Sequence, residues 1–363
     1  MRFEDVIGQD QVKARLRHGV AVGRIPHAQL ILGPEGSGGL PLALAYIQFV
    51  MCPNRSELDS CGECPTCRKI SSFTHPDVHY TFPFPKKLGE MEACSDVYPQ
   101  WREALKDDVY MSYGDWMQQL NAENKQGNIS ADECNEIIKK LSFKSFESAY
   151  KVLVLWMPEY LGKEGNKLLK LIEEPPDNTI FILVAASEEN ILPTILSRCQ
   201  FVKVPRLTTQ EIESALMGRA KLAPEKAKQV AILSEGNYRE ALHLIQHSDQ
   251  DYISMIKDWL NAILKMGPLA QLKWVEEMSK LGREQQKQFL KYFNHLLEHS
   301  IRLKTMGSDL PLDSDLKDFA LRINKIAGVS QMESIVNELN KSIYHIERNA
   351  NPKMLFMALS IKL

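Results

Sequence analysis

Short apolar runs alternate with helical segments along the first 205 residues. After the first run, residues 40–50 have helical character, and a second helix is predicted at about 163–174, where Pro175-Pro176 would end it. Short, continuously apolar strands separated by helices indicate a parallel sheet covered on both faces. The candidate strands are 28–32, 151–155, 179–184 and 200–204.

The pattern changes after Pro205, where strand-like runs disappear and helical periodicity continues almost to the end. The expected organisation is an α/β domain at 1–205, a small helical domain at 206–265 and a second helical domain at 268–363. Breaks in the last domain are predicted at 305–315, 327–328 and 349–352.

The stretch at 81–127 fits neither pattern. It is rich in charge and in aromatic residues, namely Tyr98, Trp101, Tyr110, Tyr113 and Trp116. We interpret it as a partly helical insertion, to which the sequence assigns no role.

A glycine-rich loop directly follows the first candidate strand. A working P-loop has the form G-x-x-x-x-G-K-[ST], in which backbone amides surround phosphates, the lysine neutralises them and the hydroxyl binds magnesium. Here Gly33, Gly36 and Gly38 keep the loop pattern, but Gly39 replaces the lysine and Leu40 replaces the hydroxyl. These four glycines are candidate nucleotide-binding positions in a degenerate site; a merely flexible turn is the alternative.

The second candidate strand has lost the acidic residues that such enzymes need at its end. An active ATPase places carboxylates there for magnesium and for the attacking water. This chain has Trp156 and Met157, and Glu159 falls beyond the strand. We therefore expect no ATP hydrolysis by this chain alone.

Four of the seven cysteines lie close together, at Cys52, Cys61, Cys64 and Cys67. Four thiolates at this spacing suit a closed tetrahedral zinc site with a structural role. An iron–sulfur cluster, unligated thiols and a contribution from His75 or His79 are the alternatives.

Overall charge narrows the classes of function. A formal net charge of -2 disfavours a protein that binds nucleic acid through a concentrated basic surface, although a local basic patch stays open. No apolar run has the length of a membrane span, and the acidic, polar start is unlike a secretory signal. The expected location is the cytoplasm, without a membrane partner.

Several segments together resemble the bacterial clamp-loader AAA+ subunits of DNA polymerase III. The chain start, the cysteine module and a sensor 2-like motif at Gly236–Leu242 contribute to this resemblance. The most specific segments match the family's "LLK-LEEPP" and "LPTILSRC" motifs. The matching segments are 3–9, 27–28, 32–34, 168–176, 191–199, 236–242 and 351–353.

The resemblance implies an AAA+ α/β domain at 1–205 with a zinc module at 52–67, a helical lid at 206–265 and a helical collar at 268–363 for oligomerisation. It implies gamma/tau-like and delta-like partner subunits, a sliding clamp and primed DNA within the assembly. The losses at the P-loop are typical of the family's delta-prime members, which help to load the clamp without being catalytic.

Two arginines acquire roles through the resemblance. Arg198, in the Ser-Arg-Cys motif, would act as an arginine finger at the ATP site of a neighbouring subunit; pairing with a local carboxylate is the alternative. Arg239, at the sensor 2 position, would reach a phosphate or form a salt bridge in the lid. Lys167 and Lys170 could contact DNA or simply form a solvated helix face.

Two other functions remain open from the sequence. One is an active gamma/tau-type clamp-loader ATPase, which the missing lysine, hydroxyl and carboxylates disfavour. The other is a zinc-bearing AAA+ adaptor outside replication, which would not co-purify with clamp-loader subunits.

Overall fold

A computed structural model describes residues 1–85, 93–122, 125–246, 252–306, 314–347 and 350–363. The chain forms two compact units, Met1–Leu244 and Ile245–Leu363. The division into a lid at 206–265 and a collar at 268–363 stays a prediction.

The first unit is built on a parallel five-stranded sheet in the order β2-β5-β6-β1-β7. All six residues of β5 and all seven of β6 are buried, because helices cover both faces. The four predicted strands are present. The fifth, β2, was missed because its sequence, VHYT, is short and only partly apolar. The strands are β1 (Ala28–Leu32), β2 (Val78–Thr81), β5 (Lys151–Trp156), β6 (Thr179–Ala185) and β7 (Gln200–Lys203).

Helices flank this sheet and continue beyond it. The helix predicted at 163–174 is divided into a 3-10 helix, Gly162–Leu168, and a short α-helix. Gly165 lies so close to Leu192 and Ile195 that a Cβ atom there would be 3.2 and 3.0 Å from their side chains. The α-helices are α1 (Asp10–Ala21), α2 (Gly39–Met51), α3 (Pro65–Ser71), α4 (Cys94–Asp107), α5 (Tyr113–Gln119), α6 (Ala131–Ser142), α7 (Leu169–Glu173), α8 (Pro193–Leu196), α9 (Thr209–Arg219), α10 (Pro224–Leu233) and α11 (Tyr238–Gln246).

The insertion is partly helical, as the sequence predicts, and contains α4 and α5. An antiparallel ladder between β3 (Phe84–Pro85) and β4 (Gly127–Asn128) joins its two ends. Trp101 is buried at its centre, with its ring centroid 4.2 Å from that of Phe82 and 4.7 Å from that of Trp156. The insertion is thereby packed against the end of β5. Residues 86–92 and 123–124 lie outside the described part.

The second unit is helical throughout its described residues. Its core surrounds Trp259, whose ring stacks on Trp274 at 4.7 Å and whose Nε1 donates to Ser360 Oγ at 2.9 Å. A π-helix, Ala262–Met266, follows the first helix. The α-helices are α12 (Tyr252–Asn261), α13 (Pro268–Lys280), α14 (Arg283–Met306), α15 (Ser314–Ile326), α16 (Val329–Glu347) and α17 (Pro352–Lys362).

The predicted breaks correspond to helix ends where the structure describes them. Residues 327–328 separate α15 from α16, and Pro352 begins α17. Residues 307–313 and 348–349, on which parts of the other two breaks fall, lie outside the described residues. Among the helices that are described, none combines the length and apolarity needed to cross a membrane.

Replacing Trp101 with alanine should lower the free energy of unfolding of the first unit by about 3–5 kcal/mol, because it leaves a cavity among buried rings. Phe146→Ala is the matched control, because Phe146 is 83% exposed. Loss of this aromatic ring should change the free energy of unfolding by less than about 0.5 kcal/mol. Urea denaturation of both variants measures the difference. Equal midpoints would show that the insertion does not stabilise the sheet.

Candidate nucleotide site and cysteine cluster

The glycine-rich loop connects the carboxyl end of β1 to the first residue of α2. Gly36 and Gly38 have φ angles of 69° and 95°, which glycine adopts without strain. A Cβ atom at Gly33 would lie 2.5 Å from the carbonyl oxygen of Val204. The loop is therefore a tightly packed strand–loop–helix connection at the edge of the sheet where parallel α/β folds bind ligands.

The side chains that would handle ATP chemistry are replaced by apolar ones. Leu40 is buried at the position of the P-loop hydroxyl, and Trp156 and Met157 are buried at the end of β5. Glu159 lies in the 3-10 helix Pro158–Tyr160, beyond the strand. Its Oε1 accepts hydrogen bonds from the backbone amides of Ala186 and Ser187, at 2.7 and 3.0 Å. This carboxylate therefore fixes a turn.

Little space remains above the loop. The cavity there has a volume of about 50 Å³, whereas pockets for drug-sized ligands measure roughly 300–1,000 Å³. Residues 109–111 of the insertion form one wall. The full lining is Gly33, Pro34, Glu35, Gly36, Gly38, Gly39, Leu40, Pro41, Val109, Tyr110, Met111, Trp156, Met157, Val184, Ala185 and Ala186.

Arg239 lies in α11 and is bound by two carboxylates of the insertion. Its Nη1 donates to Asp108 at 2.5 Å, and its Nε and Nη2 donate to the two oxygens of Asp115 at 2.7 and 2.8 Å. His243 Nε2 lies 3.1 Å from Asp115. Burial acts to raise the pKa of Asp115, but the contacts with His243 and Arg239 outweigh it and hold that pKa well below its usual range. The partners of Arg239 thus come from the insertion and not from the lid.

Arg198 lies between α8 and β7 and makes contacts within its own chain. Its Nε donates to Glu173 Oε1 at 2.7 Å and its Nη1 to the carbonyl oxygen of Thr194 at 2.7 Å. In the isolated chain, Arg198 therefore pairs with a local carboxylate, that of Glu173. The nearby Lys167 pairs with Glu164 at 3.6 Å, and Lys170 is exposed.

The four predicted cysteines meet at one point. Their sulfur atoms all lie within 4.8 Å of one another, with Cys52–Cys61 at 3.6 Å and Cys61–Cys67 at 3.9 Å. Four sulfurs bonded to one tetrahedral zinc at about 2.3 Å would lie about 3.8 Å apart. The cluster can therefore bind a metal such as zinc.

Local backbone geometry prepares these thiols as ligands. The amides of Cys61, Cys64 and Cys67 each point at the preceding cysteine sulfur of the cluster, at 3.4 Å. Hydrogen bonds from the amides of Cys64 and Glu63 lower the pKa of Cys61 to about 6, whereas burial raises the pKa of Cys52 and of Cys67. Because metal ligation needs the thiolate, these contacts favour a bound cation.

Residues 8–208 match the family described as "DNA polymerase III, delta subunit". This match covers more than half of the 363 residues. The chain belongs to this family. Family membership agrees with the segments around residues 168–176 and 191–199, which suggested clamp-loader subunits from the sequence.

Similarity to curated relatives continues beyond the residues that match the family. The chain is 28% identical to DNA polymerase III subunit tau of Bacillus subtilis (strain 168), over 82% of this chain and 46% of tau. It is 24% identical to subunit gamma of Buchnera aphidicola subsp. Acyrthosiphon pisum, over 95% of this chain and 77% of gamma. It thus spans less than half the length of tau. The chain is thus a member of the DNA polymerase III delta subunit family that is also similar in sequence to the gamma and tau subunits.

Solved structures include a DNA polymerase III gamma subunit-related protein from Thermotoga maritima. It shares 16% identity over 97% of this chain and 98% of that one, with a TM-score of 0.43. A likeness this low adds nothing to the family assignment.

Sequence reasoning did not assign a role to Tyr110, Asp108 or Asp115. Tyr110 lies above the loop, and Asp108 and Asp115 lie against Arg239, because the insertion folds back onto the end of β5. One signal in the sequence was Arg239 itself, because a guanidinium that becomes partly buried needs anionic partners. The acidic stretch around 107–115 was the nearest unassigned source of them.

Removal of one cluster thiol should abolish metal binding. Cys64→Ser should leave three thiolates around the ion, whereas Cys134→Ser removes an equally buried thiol outside the cluster and should keep the metal. Elemental analysis of the two purified variants, normalised to protein, measures the difference. Equal metal content in both would show that the four cysteines are not the ligands.

Proposed function

We propose that this chain is a delta-prime-type subunit that works in the clamp loader without hydrolysing ATP itself. In this role it assembles in the cytoplasm with gamma/tau-like and delta-like subunits, which open a sliding clamp and place it on primed DNA. The proposal depends mainly on the glycine-rich loop of this chain, which lacks the residues that an ATPase needs. The lysine, hydroxyl and strand-end carboxylates are missing, and the insertion fills the remaining space.

Arg198 is present although the chain's own ATP-handling residues are missing, which supports a role for this arginine at the ATP site of a neighbouring subunit. The chain lacks the groups that would use ATP, yet it has an arginine at the surface beside β7 in the family's Ser-Arg-Cys motif. A planar guanidinium can stabilise the charge that develops on a γ-phosphate across a subunit interface. The cis pairing with Glu173 is compatible with this role, because an exposed ion pair contributes only about 0–1 kcal/mol and is readily exchanged for a phosphate.

We propose zinc as the metal of the cysteine cluster, with a structural role. The four thiols occupy every position of a tetrahedral ion, so none remains for a substrate. The cluster follows α2 directly and includes the first turn of α3. Zinc there would fix the segment between these two helices.

The purified chain should not hydrolyse ATP. Charge neutralisation, magnesium ligation and water activation are each missing at Gly39, Leu40 and Trp156-Met157. Phosphate release measured with and without primed DNA and clamp checks this, with a gamma/tau protein as the positive control. Turnover that persists through further purification and in the Arg198→Ala variant would favour the gamma/tau-type alternative.

Within the reconstituted loader, Arg198→Ala should reduce ATP turnover at the site facing this chain by about 10³-fold or more, as removal of an arginine finger does. The total DNA-stimulated ATP turnover of the loader should fall by a smaller factor, because the ATP sites that do not face this chain are unaffected by the substitution. Steady-state ATPase and clamp-loading rates measure both effects, and gel filtration checks that the complex still assembles.

Glu173→Ala separates the two roles of Arg198. It removes the same ion pair but leaves the guanidinium in place. A trans finger predicts normal or raised turnover in this variant and a defect in Arg198→Ala alone. If both variants show the same defect, Arg198 acts only through its pairing with Glu173.

A further inference from the structure

The space above the glycine-rich loop is filled by an aromatic ring of the insertion. The Tyr110 ring lies 3.4 Å from the position that a Cβ atom would have on Gly38, and its hydroxyl accepts a hydrogen bond from the Ile7 amide at 2.9 Å. On its other side, the ring centroid lies 5.0 Å from that of Tyr238 in α11. One ring therefore contacts the loop, the N-terminal segment and the lid segment at 206–244.

Charge in the same place is already balanced from within the chain. Asp108 and Asp115 surround Arg239, and the side chains of Arg239 and Asp115 are only 14% and 12% exposed. The ring nitrogen Nε2 of His243 lies 3.1 Å from the second of these carboxylates, Asp115. The loop from Gly33 to Leu40 contains Glu35 and no lysine or arginine. Arg239 is already paired and the loop supplies no cationic side chain, so a phosphate entering here would depend on the backbone amides of the loop and of the start of α2.

Both carboxylates are held in position by their own helices and turns. Asp108 Oδ1 accepts from the Tyr110 amide at 2.7 Å, which links the charged and aromatic parts of the insertion. Asp115 accepts from the Ser112 amide and hydroxyl at 2.7 and 2.8 Å, at the start of α5. These groups are preorganised for Arg239, so little conformational freedom is lost when the pair forms.

The lid segment also contacts the loop itself. The Tyr238 amide donates to the Gly36 carbonyl at 3.1 Å. A Cβ atom on Gly36 would lie only 1.8 Å from Asn237 Oδ1, so the start of α11 rests directly on the loop backbone. The contacts of Tyr110 and Arg239 continue this interface along the same helix.

We propose that the insertion replaces a nucleotide within the chain, with Tyr110 filling the space above the loop and Asp108 and Asp115 binding Arg239. It thereby holds the lid segment 206–244 on the α/β core in one arrangement that needs no ligand. This inference goes beyond the role in a clamp loader, because it rests on contacts within this chain and does not depend on any partner subunit.

Hydrogen–deuterium exchange of the full chain tests the inference. In Asp108→Asn/Asp115→Asn, amides at 238–244 and 109–111 should exchange at least about tenfold faster, which corresponds to 1.4 kcal/mol of lost local stability. Amides in β5 and β6 should be unchanged. Asp107→Asn is the charge control, since it removes one negative charge, against two in the double variant, from an exposed position one residue before Asp108, and it should exchange like the unmodified chain.

Two outcomes would overturn the inference. One is unchanged exchange at 238–244 in the double variant. The other is equally accelerated exchange in Asp107→Asn, which would reflect net charge alone.

If the double variant unfolds, Arg239→Lys replaces it, because lysine keeps the charge but loses the paired geometry to Asp115. Faster exchange at 238–244 supports the inference, and unchanged exchange there contradicts it.

Ligand addition provides the complementary measurement. Millimolar Mg-ATP or inorganic phosphate should leave both the thermal midpoint and the exchange of residues 238–244 unchanged in the natural sequence, because the site is filled. A raised midpoint with slower exchange in this segment would show that a ligand takes the place of Tyr110 and would contradict the inference. Neither result depends on whether the chain acts in a clamp loader.

Discussion

A parallel sheet places the carboxyl ends of its strands along one edge, and the distinctive features of this chain follow from what fills that edge. Here β1 ends in the glycine-rich loop, and β5, separated from β1 by β6, ends at Trp156, which lines the same cavity as the loop together with Met157. The apolar end of β5 accepts the Trp101 ring and so fixes the insertion above the loop. Once the insertion lies there, Tyr110 comes to the place where a ligand would otherwise bind, and the two carboxylates bind Arg239 in α11.

Much of this arrangement could be predicted from local sequence. The strands around 28–32, 151–156 and 179–185 are largely apolar, and the cysteine spacing predicts a cluster whose sulfur atoms the structure brings within 4.8 Å of one another. These signals are short-range, because each depends on residues close together in the chain. The loss of P-loop chemistry at Gly39 and Leu40 was visible in the same way.

The position of the insertion could not be predicted, because it depends on contacts far apart in the chain. Asp108 and Asp115 meet Arg239 across more than a hundred residues, and no periodic pattern links them. The strand β2 was missed for a related reason, since four residues become a strand only when β5 offers them a partner. At 162–168, the close approach of Gly165 to Ile195 is likewise a tertiary contact that no local pattern reveals.

A cryo-EM structure of the assembled loader with a non-hydrolysable ATP analogue tests the central claim most directly. We predict nucleotide density in the gamma/tau-like neighbours, Tyr110 still above Gly38 in this chain, and Arg198 displaced from Glu173 toward the neighbour's γ-phosphate. Nucleotide bound at Gly33–Gly39 of this chain, with Arg198 still paired to Glu173, would contradict the claim that the chain lends its arginine to a partner and binds no ATP of its own.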